Sequence, residues 1–328
     1  MLSRVAESLY WMSRYLERAE NVARFIDVNY HMCLDIPGEG PDQWKPLVDA
    51  SGDREAFAER YGEATRENVI RFLTFDTENP NSVTSCVQVA RENARWIRQF
   101  ITLEMWEHLN RFYLMVGDAA RNPSAVVDHD FLNQVMTANQ LFLGILDGTL
   151  SRGEGWHFCR LGRLLERADK SSRMLDVKYF HLLPTVEHVG TPYDDILWAA
   201  VLRSMSALEM YRKRHHRIDP GHVVEFLVLD REFPRAIHHC VMMAEESLRE
   251  ISGTPAGTFH NRAEQRLGRL RAEFDYAQVE EILEGGLHEF LDGLQTKLNT
   301  LGEAVFESFF ARRPVGGEAA RGGGESAA

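Results

Sequence analysis

Acidic and basic side chains recur at matching positions in two segments of the chain, and these residues are the best suited to chemistry. Residues 14–30 read RYLERAENVARFIDVNY and residues 163–179 read RLLERADKSSRMLDVKY, with nine of 17 positions identical. On a helical wheel, four charged residues in each segment form one sector beside an apolar stripe. The eight residues are Arg14, Glu17, Glu20, Arg24, Arg163, Glu166, Asp169 and Arg173. Arg18 lies about 200° from Leu16 and is predicted to point away from this sector.

The two charged sectors have a structural and a functional interpretation. In the structural one they form buried ion pairs, in which Glu20 and Arg24 are partners one helical turn apart. In the functional one they line a polar cleft on a twofold axis, where carboxylates and guanidinium groups bind an anionic or peptide-like ligand. A carboxylate in that cleft is also a candidate general base. Both interpretations stay open at the level of sequence, and no catalytic residue is assigned.

The Glu-x-x-Glu spacing of Glu17 and Glu20 does not predict a metal site. Di-iron sites in helical bundles use Glu-x-x-His, whereas the position that matches Glu20 in the second segment is Asp169. The neighbouring arginines would also compete for the carboxylates. The sequence has no glycine-rich phosphate loop and no HExxH or GxSxG motif. We therefore predict no metal and no cofactor.

A second pair of segments shows the same recurrence. Residues 72–95 and 226–249 match at ten of 24 positions without a gap, where average composition gives roughly one or two by chance. We therefore predict two homologous halves, a first helical repeat over residues 1–150 and a second over residues 151–313, which pack around a pseudo-twofold axis. Residues 314–328, rich in Gly, Ala and Glu, are predicted to be a disordered tail.

Apolar residues recur at three- and four-residue spacing almost everywhere, which predicts an all-α fold, a duplicated helical bundle. Besides the first helix, which begins near the N-terminus, helices are predicted over residues 102–121, 130–150, 160–179 and 194–216. The first helix carries its apolar stripe on Val5, Leu9, Met12, Leu16, Ala19, Ala23 and Ile26. Alternating runs typical of β-strands are nearly absent.

Two prolines at matching positions, Pro80 and Pro234, are placed in the first turn of a helix. That turn has N–H groups without a helical partner, so it tolerates proline. Asp76 and Asp230 come four residues earlier. They are interpreted as capping residues of those helices, with a ligand contact as the alternative.

Composition excludes several classes of protein. The net charge of −12 over 328 residues argues against nucleic-acid binding and against anionic membranes, because both need a basic surface. The apolar runs are shorter than the ~20 residues of a membrane span, and the N-terminus lacks the apolar core of a secretory signal. None of the four cysteines falls in a CxxC pair, so we predict no disulfides and a cytoplasmic location.

At residues LYWMSRYLERAENVARFIDV the chain resembles the bacterial alpha-E domain family. Its opening MLSRVAESLYWMSRYLERAEN is similar to the N-terminal signature of that family. The Glu–Arg motif after which the family is named corresponds here to Glu17–Arg18 and Glu166–Arg167. The resemblance covers the chain except for the Gly- and Ala-rich tail, and it implies an all-helical protein.

The resemblance also implies partners. Members of the family are typically encoded beside an ATP-grasp amide ligase and a transglutaminase-like cysteine protease, which implies work on peptide-like amide bonds. We therefore expect an accessory or substrate-binding protein of an ATP-grasp-linked peptide-ligation or modification system. One alternative is an enzyme in which Glu17 and Glu166 act as acid and base. Another is a scaffold or homo-oligomerisation module, which large apolar helical faces would support.

Overall fold

The computed structural model describes residues 1–35, 43–121, 127–181 and 192–311, and none of these residues forms a β-strand. The helices in these ranges are α1 (Ser3–Asp35), α2 (Lys45–Ser51), α3 (Arg54–Tyr61), α4 (Arg66–Thr74), α5 (Val83–Trp96), α6 (Leu103–Ala120), α7 (His129–Thr149), α8 (Glu154–His181), α9 (Pro192–Ser204), α10 (Leu208–Arg214), α11 (Pro220–Val228), α12 (Ile237–Ser252), α13 (Arg262–Tyr276), α14 (Val279–Gly285) and α15 (Leu287–Val305). A π-helical turn, Phe306–Phe310, follows α15. The all-α prediction is confirmed for this part of the chain.

The two long helices α1 and α8 pack against each other and hold the other helices around them. α1 also contacts α5 and α7, while α8 also contacts α12 and α15. The apolar stripe predicted for the first helix is buried throughout, with Met12, Ala19 and Ile26 fully inaccessible to solvent. Burial of such a stripe supplies most of the stability of a helix in a folded protein.

A glycine allows α1 and α8 to approach closely. A Cβ atom at Gly162 of α8 would overlap the backbone carbonyl oxygen of Tyr10 on α1. Because that obstacle is backbone, a side-chain rotation cannot relieve it. The close approach brings the charged residues near the middle of each helix within reach of the other helix.

The prediction of a single helix over residues 194–216 is wrong, because the chain forms the two helices α9 and α10 there, with a turn between them. Ser206 adopts a positive φ of 51°. Its N–H donates to the Arg203 carbonyl at 2.9 Å, and the Ala207 N–H donates to the Leu202 carbonyl at 2.7 Å. This is the bonding pattern of a Schellman motif, in which glycine usually occupies the left-handed position. Serine stands there instead, so the sequence carries no stop signal.

The capping interpretation of Asp76 and Asp230 is also wrong. α5 and α12 each begin three residues after the proline that was placed in their first turn. The Asp76 carboxylate accepts from the Glu78 N–H at 2.9 Å, and it binds Arg60 at 2.6 Å. Asp230 likewise accepts from N–H groups of its own turn and binds Arg214. Each aspartate therefore stabilises the turn before the helix by hydrogen bonds within that turn, and it also forms an ion pair with an arginine.

One other sequence prediction concerns residues outside these ranges. The predicted disordered tail, residues 314–328, lies there. Within the described ranges, none of the helices has the length and apolar character needed to cross a membrane.

Candidate functional site

The Glu–Arg motifs of α1 and α8 bind each other in a crossed arrangement. Arg18 donates to Glu166 through Nε at 2.6 Å and through Nη2 at 3.0 Å. Arg167 donates to Glu17 through Nε and Nη2, both at 2.8 Å. The arginine of each motif thus forms a two-point ion pair with the glutamate of the other motif, which is the strongest geometry for this pair of groups.

The prediction that Arg18 points away from the charged sector is therefore wrong. A helical wheel gives the direction of the Cα–Cβ bond, whereas a long arginine side chain extends several ångströms beyond it along a neighbouring surface. Arg18 uses that reach to cross from α1 to Glu166, and its Nη1 donates to Asn81 at 2.6 Å.

Further donors complete the shell around both glutamates, which are fully buried. Glu166 also accepts from Arg14 Nε at 2.9 Å, and Lys170 lies 3.9 Å away. Around Glu17 the additional donors are Asn21 at 3.1 Å and Arg235 at 3.3 Å. A carboxylate accepts roughly four hydrogen bonds, so protein groups occupy most of this capacity.

This environment keeps both glutamates ionised. Burial alone would raise the pKa of Glu17, but Arg167 and Arg235 outweigh it and lower that pKa to about 2. Burial opposes ionisation of Glu166 as well, yet Arg18 and Arg14 hold its pKa well below the usual range. A general base works best with a pKa near the working pH. Neither carboxylate meets that condition at neutral pH.

The Glu20–Arg24 pair predicted from the sequence is confirmed. Glu20 also accepts hydrogen bonds from Arg235 and, at 2.6 Å, from Asn139 of α7. On α8, Arg173 Nε lies 3.0 Å from both oxygens of Asp169. Burial would raise the pKa of Asp169, but Lys170 and Arg173 lower it. An ion could bind Glu17 and Glu20 only by displacing guanidinium groups from them.

Arg163 differs from the other candidate arginines. Its Nε is buried and has no hydrogen-bond partner among the residues that the structure describes. Burial and the nearby charge of Arg167 lower its pKa. It lies close enough to Glu17 to stabilise the carboxylate charge, but none of the hydrogen bonds to Glu17 in the described ranges comes from it.

Sequence reasoning missed Arg235, although it binds both Glu17 and Glu20. It lies in the turn before α12, where no helical periodicity marks a charged position as buried. Burial lowers its pKa to about 10, with a further contribution from Arg167. One signal was available: Arg235 follows Pro234 directly, as Asn81 follows Pro80, and Asn81 is the residue that binds Arg18.

A cavity of about 420 Å³ borders the charged network and contains one of the eight candidate residues, Arg24. Its other lining residues are Asp27, Val28, His31, His129, Met136, Ile196, Ala200 and Arg203. His129 of α7 binds Asp27 of α1 at 2.6 Å. This hydrogen bond raises the pKa of His129. The cavity combines cationic, imidazole and apolar groups, which suits a small anionic ligand.

A mainly apolar groove of about 680 Å³, which Arg4, Glu7, Ser8, Asn93 and Gln99 also line, lies between the start of α1 and the end of α5. It is called the apolar groove below. Trp96 is 75% exposed there, and Leu2 is 73% exposed. Phe100 and Val89 extend the same surface. Contiguous exposed apolar patches of this kind mark sites of protein–protein interaction.

Comparison with known proteins identifies the family of the chain. Residues 1–310 match Alpha-E, described as a predicted alpha-helical domain with a conserved ER motif. An uncharacterised protein of Mycobacterium bovis is 22% identical over 326 residues, which cover 92% of this chain and 36% of that protein. One from Mycobacterium tuberculosis is 21% identical with the same coverage, so this chain spans only about a third of these relatives. No solved structure matches the chain. Its helical fold, its Glu–Arg motifs and the match over residues 1–310 place the chain in the Alpha-E family.

Proposed function

We propose that this chain is a binding protein that serves as an accessory subunit of a cytoplasmic, ATP-grasp-linked system for forming or modifying peptide-like amide bonds. The expected partner comes from the family resemblance, and one observation favours a binding protein over an enzyme. The two glutamates best placed to act as acid and base are fully buried, are bound by arginines and have a low pKa. A chain whose most distinctive carboxylates serve its architecture has to act through its surfaces and cavities.

The proposal includes an internal duplication of two halves, residues 1–150 and 151–313. Its support is the reciprocity of contacts. Arg24 binds the turn at Ser206, and a Cβ at Gly52 would lie 3.4 Å from Arg173. Gly52 and Ser206 are 154 residues apart and both have positive φ. In this proposal the crossed ion pairs of α1 and α8 lie on the pseudo-twofold axis.

The apolar groove beside Trp96 is the proposed docking surface for the partner. A partner protein that inserts apolar side chains there would bury surface that is now in contact with water. The length of the relatives supports this choice of occupant, because about two thirds of each relative lies outside the region that this chain matches. A domain that is joined to further chain in one protein commonly binds that chain as a separate subunit in another.

A pull-down of the tagged full chain from its native lysate, read by mass spectrometry, tests the proposal. We expect stoichiometric recovery of an ATP-grasp ligase or a transglutaminase-like protein by the wild type. Trp96→Ser should lose this partner, because truncation of a central aromatic side chain typically costs over about 1–2 kcal/mol of binding. Tyr276→Ser is the matched control, since Tyr276 is 85% exposed and lies outside the groove.

Two results would contradict the proposal. One is recovery of the chain alone, and the other is turnover of a peptide-like substrate by the isolated chain. If the wild type, Trp96→Ser and Tyr276→Ser all recover the ligase equally, the ligase is a partner but the groove is not its docking surface.

A further inference from the structure

Three potential metal ligands converge at one end of the cavity beside Arg24. Asp27 and His31 are one turn apart on α1, and His129 is the first residue of α7. The donor atoms of the three side chains all lie within 4.8 Å of one another. Residues four apart on a helix face the same side, which is the spacing that helical metal sites use for two ligands.

The distances between the donor atoms fit one small ion. His129 Nδ1 lies 2.6 Å from Asp27 Oδ1 and 3.3 Å from His31 Nε2, and His31 Nε2 lies 3.8 Å from Asp27 Oδ1. A tetrahedral zinc site with ligand distances of ~2.0–2.1 Å requires donor atoms about 3.3 Å apart. The three separations scatter around that value, so small side-chain rotations would complete the arrangement.

The surroundings leave one coordination position available. Asp27 is largely buried, whereas the side chains of His31 and His129 are about half exposed, at 51% and 53%. All three face the cavity of about 420 Å³. A site with three protein ligands and an open position is the arrangement typical of zinc that binds an exogenous ligand.

We propose that Asp27, His31 and His129 bind a divalent transition-metal ion of the zinc type, whose open position faces the cavity. Two imidazoles and one carboxylate suit this class of ion. Arg24 and Arg203 line the same cavity, so a ligand with a carboxylate or another anionic group is the class that fits beside the ion. The site is independent of the docking groove and of the proposed partner.

A second Asp–His pair in the chain provides an internal comparison. Asp176 of α8, the residue that matches Asp27 in the repeated segments, accepts a 2.7 Å hydrogen bond from His288 of α15. The position that matches His31 at the same offset is Phe180, which has no metal-binding atom. The second pair therefore lacks an equivalent of His31, so His288→Ala serves as the control for metal binding at Asp27, His31 and His129.

Calorimetric titration of the full chain with Zn²⁺ alone tests the site. The protein must carry no histidine tag and must first be dialysed against a chelator. We expect one ion per chain for the wild type. His31→Ala and His129→Ala should each weaken binding at least ~10-fold, since loss of even an outer partner of a ligand costs about 10–100-fold. His288→Ala should bind as the wild type does.

His31→Ala keeps the test decisive if loss of the His129–Asp27 hydrogen bond destabilises the protein in His129→Ala, because His31 is exposed. A visible absorption spectrum of four-coordinate Co²⁺, lost in His31→Ala, would support the same ligand set. The proposal is overturned if the wild type binds no Zn²⁺. It is equally overturned if His31→Ala binds Zn²⁺ as tightly as the wild type and the control His288→Ala do.

Discussion

Glu17 and Glu166 stay ionised inside the protein because each one is surrounded by three charged or polar side chains. Removing such charges from water is costly, and the cost is offset only when the partners are well placed. The same argument predicts what happens when one partner is lost, because the remaining charges cannot return to water.

Replacement of Glu17 by glutamine leaves Arg167 buried without its counter-charge and leaves Arg235 paired with Glu20 alone. We expect Glu17→Gln to lower the free energy of unfolding by about 3–5 kcal/mol, measured by urea titration. Glu92→Gln is the matched control, because Glu92 pairs with Arg91 and Arg95 at the surface and such pairs contribute only about 0–1 kcal/mol. Unchanged or increased stability of Glu17→Gln would indicate that the carboxylate is strained for a function.

The low pKa of Glu17 also predicts how stability depends on pH. Its pKa is about 2 in the folded protein, against an ordinary value of 4.5. The unfolded chain therefore takes up a proton first as the pH falls. The stabilisation from Glu17 is complete above pH 4.5 and is lost as the pH falls toward 2, and Glu166 acts in the same direction.

Acid titration of stability therefore distinguishes the variants. We expect the wild type to lose stability between about pH 5 and pH 2 more steeply than Glu17→Gln, by up to about 1.4 kcal/mol per pH unit. Urea titrations at several pH values measure the slope. Parallel slopes for the two proteins would show that Glu17 has an ordinary pKa.

Residue contacts could be predicted from the sequence only where both partners share a helix. Glu20 and Arg24 are separated by one turn, so their pairing follows from helix geometry. The partners of Arg18 and Arg235 lie far away in sequence, and only the packing of α1 on α8 and α12 on α8 brings them together. Helical wheels contain no information about that packing.

At the scale of helices, the most accurate sequence predictions were for helices that begin after a conventional N-cap residue. α6 follows Thr102 and α7 follows Asp128, and the side chain of each of these N-cap residues accepts a hydrogen bond from a backbone N–H, which is the usual arrangement. The break between α9 and α10 was missed because its left-handed residue is Ser206 rather than glycine. A hydrogen bond from Arg24 to that serine holds the turn, and this tertiary contact leaves no local pattern.

The close contact of α1 and α8 predicts an unusual response to alanine. Gly162→Ala should destabilise the protein by about 1–3 kcal/mol, the range for overpacking, because the new Cβ would overlap the Tyr10 carbonyl oxygen. Gly144→Ala in α7 is the control, since no described residue outside its own helix backbone places an atom within 4 Å of a Cβ there. It should stabilise the helix by about 0.5–1 kcal/mol.

Thermal unfolding of both variants measures this contrast. If Gly162→Ala is as stable as the wild type, or more stable, then α1 and α8 do not approach closely enough for a Cβ at position 162 to overlap the Tyr10 carbonyl oxygen.

At the scale of the whole molecule, the crossed ion pairs make the predicted halves interdependent. Each buried glutamate depends on an arginine from the other half, so neither half can keep its charges satisfied alone. We therefore expect the chain to unfold as one cooperative unit. Calorimetry should give equal calorimetric and van't Hoff enthalpies. A ratio near two would indicate two halves that unfold independently.

The division into two homologous halves stays a prediction, which rests on identities at a long period in the sequence. The crossed ion pairs between α1 and α8 were not predictable, since the sequence shows Glu17 beside Arg18 and Glu166 beside Arg167. Adjacent residues on a helix point about 100° apart and do not face each other. The motif is therefore local in sequence, whereas its ion pairs connect two helices.

A double-mutant cycle between Glu17 and Arg167 tests the central claim most directly. The free energy of unfolding is measured for Glu17→Gln, Arg167→Gln and the double variant, and the cycle is repeated with Arg18 in place of Arg167. We expect a coupling of about 1.5–3 kcal/mol for Glu17 with Arg167, in the upper range for contacting charged residues. The coupling with the adjacent Arg18 should be much smaller. A larger coupling within the motif than across the two helices would contradict the crossed arrangement.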